Sequence, residues 1–207
     1  TLPWSFTSYQ QARQVIDTTG GAYYAKLLEA KGITYLGSFH NGFRQLTNSK
    51  HPVTKPEDLK DLKIRVPGSA MSWSEVFTAI QQKTIDGQEN GCSVTKSAKM
   101  DEIQQYMTIW NYSYENDLFV ANSRVWESLD ENTRQLLQEC ATESCEWGRD
   151  HLEAEEDQLI QGFMDSGMQV DILTEDQLQA FKDAVAGVTA DLKAEYGEDA
   201  CAAFGIN

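Results

Sequence analysis

The sequence predicts an α/β fold with a largely parallel sheet. Short strand patterns alternate with helical patterns along the chain, and that order is typical of this class. The chain has 207 residues, of which 41% are hydrophobic and 10% aromatic, so it can bury a core as one large domain or two small lobes. No internal repeat or low-complexity linker marks a domain boundary.

The first half of the chain alternates helices with short strands. Gly32 is the predicted stop of the second helix. Thr54 is the predicted N-cap of a short helix with Pro56 in its first turn. Ser72 and Glu75 form a capping box at the start of a longer helix. The predicted helices are SYQQARQVID, AYYAKLLEAKG, KPEDLKDL and WSEVFTAIQQ, and the predicted strands are ITYLGSF, GFRQLTN, LKIRVP and TIDGQEN.

The second half is dominated by one long helix. Ser128 and Glu131 form a capping-box pattern, and the helical pattern then continues without proline to about Met164. At 1.5 Å per residue such a helix is on the order of 50 Å long, so it spans more than one compact lobe. Thr174 and Gln177 predict the cap of a final helix that extends to about Tyr196. The predicted strands are YMTIWNYS, NDLFVAN and MQVDIL.

The charge is strongly negative and unevenly distributed. The formal net charge is −15. Residues 1–100 carry 12 Lys/Arg and 8 Asp/Glu, a balance of +4, whereas residues 101–207 carry 5 and 24, a balance of −19. This composition argues against partners such as nucleic acid or anionic lipid, because binding to phosphates requires a basic face. No apolar run is long enough to span a membrane.

The histidines, serines, glycines and cysteines do not form the sequence motifs typical of metal binding, nucleophilic catalysis or phosphate binding. His40, His51 and His151 lie far apart without HExxH-like spacing, and no serine lies in a G-x-S-x-G motif. No glycine-rich loop follows a strand in the manner of a phosphate cradle. The cysteines lack zinc-like spacing and are expected to be buried free thiols or to form one structural disulfide. These cysteines are Cys92, Cys140, Cys145 and Cys201.

One arginine occupies an unusual position in a strand. In LKIRVP the apolar side chains alternate with Lys63 and Arg65, and Pro67 ends the strand directly after Arg65. Ligands bind beyond the carboxyl ends of strands in open parallel sheets, and a guanidinium there can pair with a carboxylate through two parallel hydrogen bonds. A salt bridge to one of the chain's many acidic residues is the alternative.

Several motifs resemble one family of binding proteins. GFRQLTN, LKIRVPGS and TIDGQEN occur in this order, and the segments before and after them extend the resemblance over nearly the whole chain. The sequence resembles the solute-binding proteins of tripartite ATP-independent periplasmic (TRAP) transporters, which include binders of C4-dicarboxylates and sialic acid. The resemblance implies a type II periplasmic-binding-protein fold, in which two lobes surround a cleft and the long helix bridges them.

The resemblance also implies the site residues. Arg65 matches the carboxylate-clamping arginine, and Arg44 matches a second, supporting arginine at the cleft. Asn90 matches an asparagine that hydrogen-bonds the same carboxylate, and Trp73 falls where an aromatic ring packs against the ligand. An arginine fork and an amide donor would satisfy a carboxylate's lone pairs beside that ring. Three further positions near the cleft are Glu89, Asn111 and Tyr112.

The chain departs from the family pattern in two places. The family begins with a strand, a helix and a strand that are absent here, and relatives carry a further helix and turn near positions 71–72. The chain opens TLPWSF without methionine or signal peptide, so it is expected to be processed or partial. By resemblance, the first lobe comprises residues 1–41 and 116–155, and the second comprises residues 42–115 and 156–207.

The predicted function is capture of a small organic acid, either an acidic sugar or a C4-dicarboxylate, in the periplasm. The implied partner is a TRAP membrane permease, and the binding protein is expected to be a monomer without cofactor, metal or chemical step. Two alternatives remain: an enzyme acting on a small carboxylate, with Glu89 as its nearest titratable group, and a ligand sensor without a transport role.

Overall fold

The computed structural model describes residues 2–206 and contains, within that range, two β-sheets flanked by helices. One sheet has two strands, β1 and β6, and the other has five strands in the order β3-β4-β2-β5-β7. The strands are β1 Ile33–Phe43, β2 Gln45–Asn48, β3 Ile64–Arg65, β4 Gly87–Asn90, β5 Tyr106–Ile109, β6 Tyr114–Asn122 and β7 Gln169–Ile172.

Most of the helices are short, and one is very long. A π-helical turn over Ile16–Gly20 joins the first two without a break, and 3₁₀ turns occupy Pro56–Leu59 and Met100–Glu102. The α-helices are α1 Tyr9–Val15, α2 Gly21–Glu29, α3 Trp73–Gln81, α4 Cys92–Ser97, α5 Ser123–Ser128, α6 Glu131–Asp165, α7 Glu175–Ala184, α8 Ala186–Tyr196 and α9 Glu198–Ala203.

The five-stranded sheet is mixed, so the α/β class is confirmed but the expectation of a largely parallel sheet is wrong. β3 and β4 run parallel, as do β5 and β7, whereas β2 is antiparallel to both of its neighbours. β2 follows β1 after one residue, Arg44, and therefore enters the sheet directly from the two-stranded sheet. The alternation of side chains reports which face of a strand is buried and carries no information about strand direction.

The long helix crosses both sheets, as its length predicted. Near its middle, Cys145 packs against Gly37 of β1 in the two-stranded sheet. Near its end, the fully buried Phe163 packs in a cluster with Met107 of β5 and Met168. One continuous helix therefore packs against both sheets and connects them.

Of the four predicted helix starts, two are confirmed and two are wrong. The Ser72–Glu75 and Thr174–Gln177 capping boxes form at the starts of α3 and α7. Thr54 is not an N-cap, because Lys55 occupies that position before the 3₁₀ turn. The Asp58 carboxylate accepts hydrogen bonds from the backbone N–H groups of Thr54 and Lys55 and thereby satisfies them from inside the turn.

The start of the long helix also differs from its prediction. Ser128 ends α5, and its hydroxyl donates to the Val125 carbonyl. Asp130 is the N-cap of α6, because its carboxylate accepts the backbone N–H of Thr133 at 3.0 Å. The final helix is likewise not continuous, since Val185 leaves helical geometry (φ −109°, ψ 9°) and separates α7 from α8.

Substitution at Asp130 tests the position of this cap. Asp130→Ala removes the acceptor for the first turn of α6 and should lower the Tm by roughly 2–4 °C. Ser128→Ala, two residues earlier, is the matched control and should change the Tm by less than about 1 °C. The measurement is thermal unfolding followed by circular dichroism, and equal Tm changes in the two variants would contradict the assignment of the cap.

Ion pairs attach the N-terminal helices to the long helix. The Arg13 guanidinium of α1 contacts Asp150 at 2.7 Å and Glu153 at 2.6 Å. A second ion pair has its arginine on the long helix and its carboxylate on the N-terminal segment. Arg149 of α6 is 6% exposed and contacts Asp17 at 2.5 Å. Because a buried charge is stable only when it is paired, the buried Arg149 holds the N-terminal segment at Asp17.

A buried histidine lies beside these ion pairs. His40 Nδ1 is 2.6 Å from the hydroxyl oxygen of Tyr114, and its Nε2 is 3.6 Å from the Glu153 carboxylate. Burial lowers the pKa of His40 to about 4, and the positive charges of Arg13 and Arg149 act in the same direction. The neutral imidazole is therefore the form that the folded protein holds.

We expect the stability to decrease in acid because of this histidine. The ordinary pKa of 6.5 applies in the unfolded chain, so between pH 6.5 and about 4 only the unfolded state binds the proton, and stability falls as the pH falls. His40→Gln should shrink the difference in unfolding free energy between about pH 7 and about pH 5 by roughly 1–2 kcal/mol. Urea titrations at both pH values test this, with the exposed His51→Gln as the control. An unchanged difference in His40→Gln would contradict it.

The remaining elements complete the packing. Phe204, after α9, packs on Tyr24 of α2 with a ring-centroid distance of 5.1 Å. All four cysteines are free thiols, of which Cys92 and Cys145 are buried. Across residues 2–206, none of the helices combines the length and the apolar character needed to cross a bilayer.

Candidate ligand-binding site at one edge of the mixed sheet

The strand order brings the predicted site residues to one edge of the five-stranded sheet. β3 ends at Arg65 and its parallel neighbour β4 ends at Asn90, so both side chains lie at the carboxyl ends of adjacent strands. β2 begins at the same edge, because Gln45 pairs with Asn90. β5 also ends there, and Asn111 and Tyr112 follow it.

Arg65 has an unsatisfied guanidinium. It is half-buried, and its Nη2 makes one long hydrogen bond of 3.4 Å to the Met71 carbonyl. Its buried Nε has no hydrogen-bond partner, and no carboxylate among residues 2–206 lies within ion-pair distance of Arg65. Because unpaired buried donors are rare in folded proteins, this nitrogen is a candidate donor to a bound ligand.

Trp73 lies beside this guanidinium. The Arg65 Cζ is 5.6 Å from the centroid of the Trp73 ring, within the distance at which a cation is attracted to an aromatic face. The capping box of α3 positions the indole, because Trp73 is the first residue of that helix. Trp73 also lines an open pocket of about 360 Å³ together with Phe77 and Met100.

Arg44, by contrast, is already paired. Its Nε donates to the Glu89 carboxylate at 2.5 Å and its Nη2 donates to the Glu89 carbonyl at 2.6 Å. Its Nη1 contacts the Glu115 carboxylate at 2.5 Å, and Arg44 is only 5% exposed. All three guanidinium nitrogens are therefore in contact with oxygens of the protein itself.

Asn90 retains a free donor. Its Oδ1 accepts the backbone N–H of Gly91 at 3.0 Å, which fixes the orientation of the amide. Within the described residues its Nδ2 makes no hydrogen bond, and Asn90 lies on the same face of the sheet as Arg65 because Arg65 is registered with Gln88. Asn90 and Arg65 thus present their polar side chains to one side of the sheet edge.

A buried glutamine that the sequence did not single out hydrogen-bonds the loop after β5. Gln45 is fully buried, its Oε1 accepts the backbone N–H groups of Trp110 and Asn111, and its Nε2 donates to the Asn111 Oδ1 at 2.7 Å. Asn111 has a positive φ of 47°, so this network holds a strained residue in place. The sequence carries no distinct signal for it, because Thr47 and Asn48 make the rest of β2 polar as well.

Tyr112 lies among aromatic rings close to the Arg44 pair. Its ring centroid is 5.3 Å from that of Trp4 and 5.5 Å from that of Trp110. Burial raises the pKa of Tyr112, and the charge of Glu89 raises it further, whereas Arg44 acts in the opposite direction. The phenol is therefore protonated at neutral pH and can donate a hydrogen bond.

A large cavity lies elsewhere. It has a volume of about 530 Å³ and a mainly apolar lining that includes Tyr24 and Phe204, and Glu115 also lines it. Neither Arg44 nor Arg65 lines this cavity. The polar side chains that the sequence reasoning singled out therefore lie at the sheet edge and outside this apolar cavity.

An unpaired arginine and an amide donor at the ends of sheet strands are an arrangement typical of proteins that bind small ligands at a sheet edge. Residues 1–195 match the bacterial extracellular solute-binding protein family 7. The chain belongs to this family, and the resemblance seen in the sequence motifs is confirmed.

Two curated relatives and one solved structure illustrate the similarity. The chain is 30% identical to the 2,3-diketo-L-gulonate-binding periplasmic protein of Escherichia coli, covering 92% of this chain and 62% of the relative. It is 28% identical to the C4-dicarboxylate-binding periplasmic protein of Rhodobacter capsulatus, covering 98% and 65%. A TRAP periplasmic solute-binding protein from Polaromonas sp. JS666, crystallised with D-erythronate, superimposes with a TM-score of 0.90 at 30% identity, covering 100% of this chain and 73% of that one.

The chain matches only part of the length of these relatives. It spans less than two thirds of the two curated relatives. The fold of the matched part agrees with the solved structure over the whole of this chain.

Proposed function

We propose that this protein binds a small organic acid, either an acidic sugar or a C4-dicarboxylate, and delivers it to a TRAP membrane permease in the periplasm. The observation that carries the proposal is the half-buried Arg65 guanidinium, which has an unpaired Nε and no carboxylate partner among residues 2–206. A ligand carboxylate would supply the missing acceptor.

The neighbouring groups support a carboxylate at this position. The Asn90 amide is held by its bond to Gly91 and directs a second donor toward the same side of the sheet. The Trp73 ring next to Arg65 excludes water and thereby strengthens the pairing of opposite charges. The relatives named for binding 2,3-diketo-L-gulonate and C4-dicarboxylate, and the one crystallised with D-erythronate, have ligands of this chemical type.

Binding would be coupled to movement of two lobes. The two sheets are the natural centres of these lobes, which we assign to residues 1–41 with 116–155 and to residues 42–115 with 156–207. The chain passes between the sheets at Arg44, whose N–H donates to the Ser113 carbonyl and whose carbonyl accepts the Tyr112 N–H. A ligand that contacts both lobes would favour a closed state over an open one.

Binding without chemistry is favoured over catalysis. The enzyme alternative needs a titratable group that is free to exchange a proton, and Glu89 is its candidate. In this structure the Glu89 carboxylate is 5% exposed and hydrogen-bonded to Arg44, so it is committed to holding that guanidinium.

A thermal-shift screen tests the proposal. The panel contains uronates, aldonates and dicarboxylates, each added at concentrations up to several millimolar, and the supernatant is analysed for conversion of the acid. We expect one acid to raise the Tm without being consumed, because a ligand that binds only the folded state stabilises it. Loss of the acid over time would indicate an enzyme, and no shift with any acid would refute the proposed function.

A further inference from the structure

The two arginines at the sheet edge are in opposite electrostatic states. Arg44 is shared by two carboxylates, one from each sheet: Glu89 lies on β4 and Glu115 lies on β6. Arg65 lies on β3, on the far side of β4 from Arg44, and has no carboxylate partner within the described chain. Only Arg65 is therefore available to a ligand's carboxylate as an unpaired guanidinium.

The surroundings of Arg44 carry excess negative charge. One guanidinium against the two carboxylates of Glu89 and Glu115 leaves a local balance of −1. Asp117, two residues after Glu115 on β6, adds to this field. Burial and, after it, the charge of Glu115 raise the pKa of Asp117, whereas the charge of Arg44 lowers it.

The same carboxylates can serve a different group well. Carboxylate oxygens are acceptors, and the Glu115 side chain remains 29% exposed while it contacts Arg44. A ligand hydroxyl can donate to such an oxygen, whereas a second ligand carboxylate would meet repulsion and find no unpaired guanidinium.

We propose that Glu115 is a specificity-determining residue that restricts the site to hydroxylated monocarboxylates. Together with Glu89, Glu115 neutralises the Arg44 guanidinium. Of the two arginines at the sheet edge, Arg65 is then the one whose guanidinium has no carboxylate partner in the described part of the chain. This inference rests on the proposed function and decides between the two ligand classes left open there. It selects the acidic sugars that bear one carboxylate and excludes the dicarboxylates.

Two pairs of acids that differ only at one terminus provide the test. D-erythronate and meso-tartrate form one pair, and D-galactonate and galactarate form the other; each pair exchanges a terminal hydroxymethyl group for a carboxylate. Isothermal titration should show that the parent chain binds the monocarboxylate of at least one pair at least about tenfold more tightly, which corresponds to about 1.4 kcal/mol.

The substitution Glu115→Gln preserves the size of the side chain and removes its charge. It should leave the Arg44 Nη1 without a charged partner, so that this nitrogen can bind a second ligand carboxylate. The preference for the monocarboxylate should then fall at least about tenfold, mainly because the dicarboxylate binds more tightly. Glu127→Gln, which removes an exposed carboxylate on α5, is the matched control and should keep the parent's preference. Circular dichroism establishes that both variants are folded.

The outcomes separate this inference from the proposed function. A parent chain that binds both members of each pair equally, or that prefers the dicarboxylate, overturns the inference and leaves organic-acid binding intact. An unchanged preference in folded Glu115→Gln overturns it as well. Absence of binding for all four acids overturns the inference, and the proposed function falls with it only if the wider panel also fails.

Discussion

Arg65→Ala should abolish the ligand-induced rise in Tm while the chain stays folded. Truncating one partner of a hydrogen-bonded charge pair costs about 2–5 kcal/mol, so the affinity for the organic acid should fall at least about thirtyfold. The fold should survive, because Arg65 makes only a long hydrogen bond to Met71 and the contact with Trp73. Isothermal titration with the acid selected by the screen measures the loss.

Two further substitutions sharpen this result. Arg65→Lys keeps the charge but should also lose most of the affinity, since an ammonium group cannot form two parallel hydrogen bonds with a carboxylate. Arg124→Ala, at an exposed position of α5, removes a positive charge away from the sheet edge and should bind like the parent. If Arg65→Ala binds as tightly as the parent, Arg65 is a surface residue and the site assignment is wrong.

The fold class and most elements were predictable because they depend on local sequence. The capping boxes at Ser72 and Thr174 involve residues three apart, and the long helix follows from an unbroken helical pattern. The mixed strand order was not predictable from alternation, because the direction of β2 depends on its partners β4 and β5, which are distant in the sequence. Ser128 was mistaken for a cap because Asp130, two residues later, offers a stronger one.

The candidate site shows the same limit. The family motifs name seven positions, which lie at or near the ends of β3, β4 and β5, directly before β2 and at the start of α3, and their ligand-binding roles stay predictions. The sequence did not indicate that Arg44 would be paired with Glu89 and Glu115, since those partners lie 45 and 71 residues away along the chain. Charge pairing across sheets is a tertiary property, and only the fold reveals which arginine is free.

Arg44 also explains how the site and the junction between the sheets are connected. The backbone passes from β1 to β2 through this residue, and the N–H of Arg44 donates to the Ser113 carbonyl just before β6. Its side chain binds one carboxylate from each sheet, Glu89 and Glu115. A substitution at Glu115 therefore affects both the sheet edge proposed to bind the ligand and the β1–β2 junction. For this reason the test of specificity includes a check of folding.

Gly91→Ala should destabilise the protein strongly and weaken ligand binding. Gly91 follows Asn90 at the end of β4 and precedes α4, and a Cβ at this position would lie 2.1 Å from the backbone carbonyl oxygen of Asn41 in β1. Asn41 lies within β1 and Gly91 is the N-cap of α4, so only a shift of one of these backbone segments relieves the clash. We expect a loss of about 3 kcal/mol, the upper part of the range for overpacking, and a Tm lower by roughly 6–12 °C.

The binding result follows from the neighbouring residue. The Asn90 side chain is oriented by its hydrogen bond to the Gly91 N–H, so a backbone shift at Gly91 displaces the amide that we assign to the ligand carboxylate. Gly148→Ala is the matched control, since a Cβ there meets no atom within 4 Å and alanine favours a helix by up to about 1 kcal/mol. Urea unfolding and titration of both variants decide the matter: if Gly91→Ala is as stable as Gly148→Ala, the close contact between the sheets does not exist in solution.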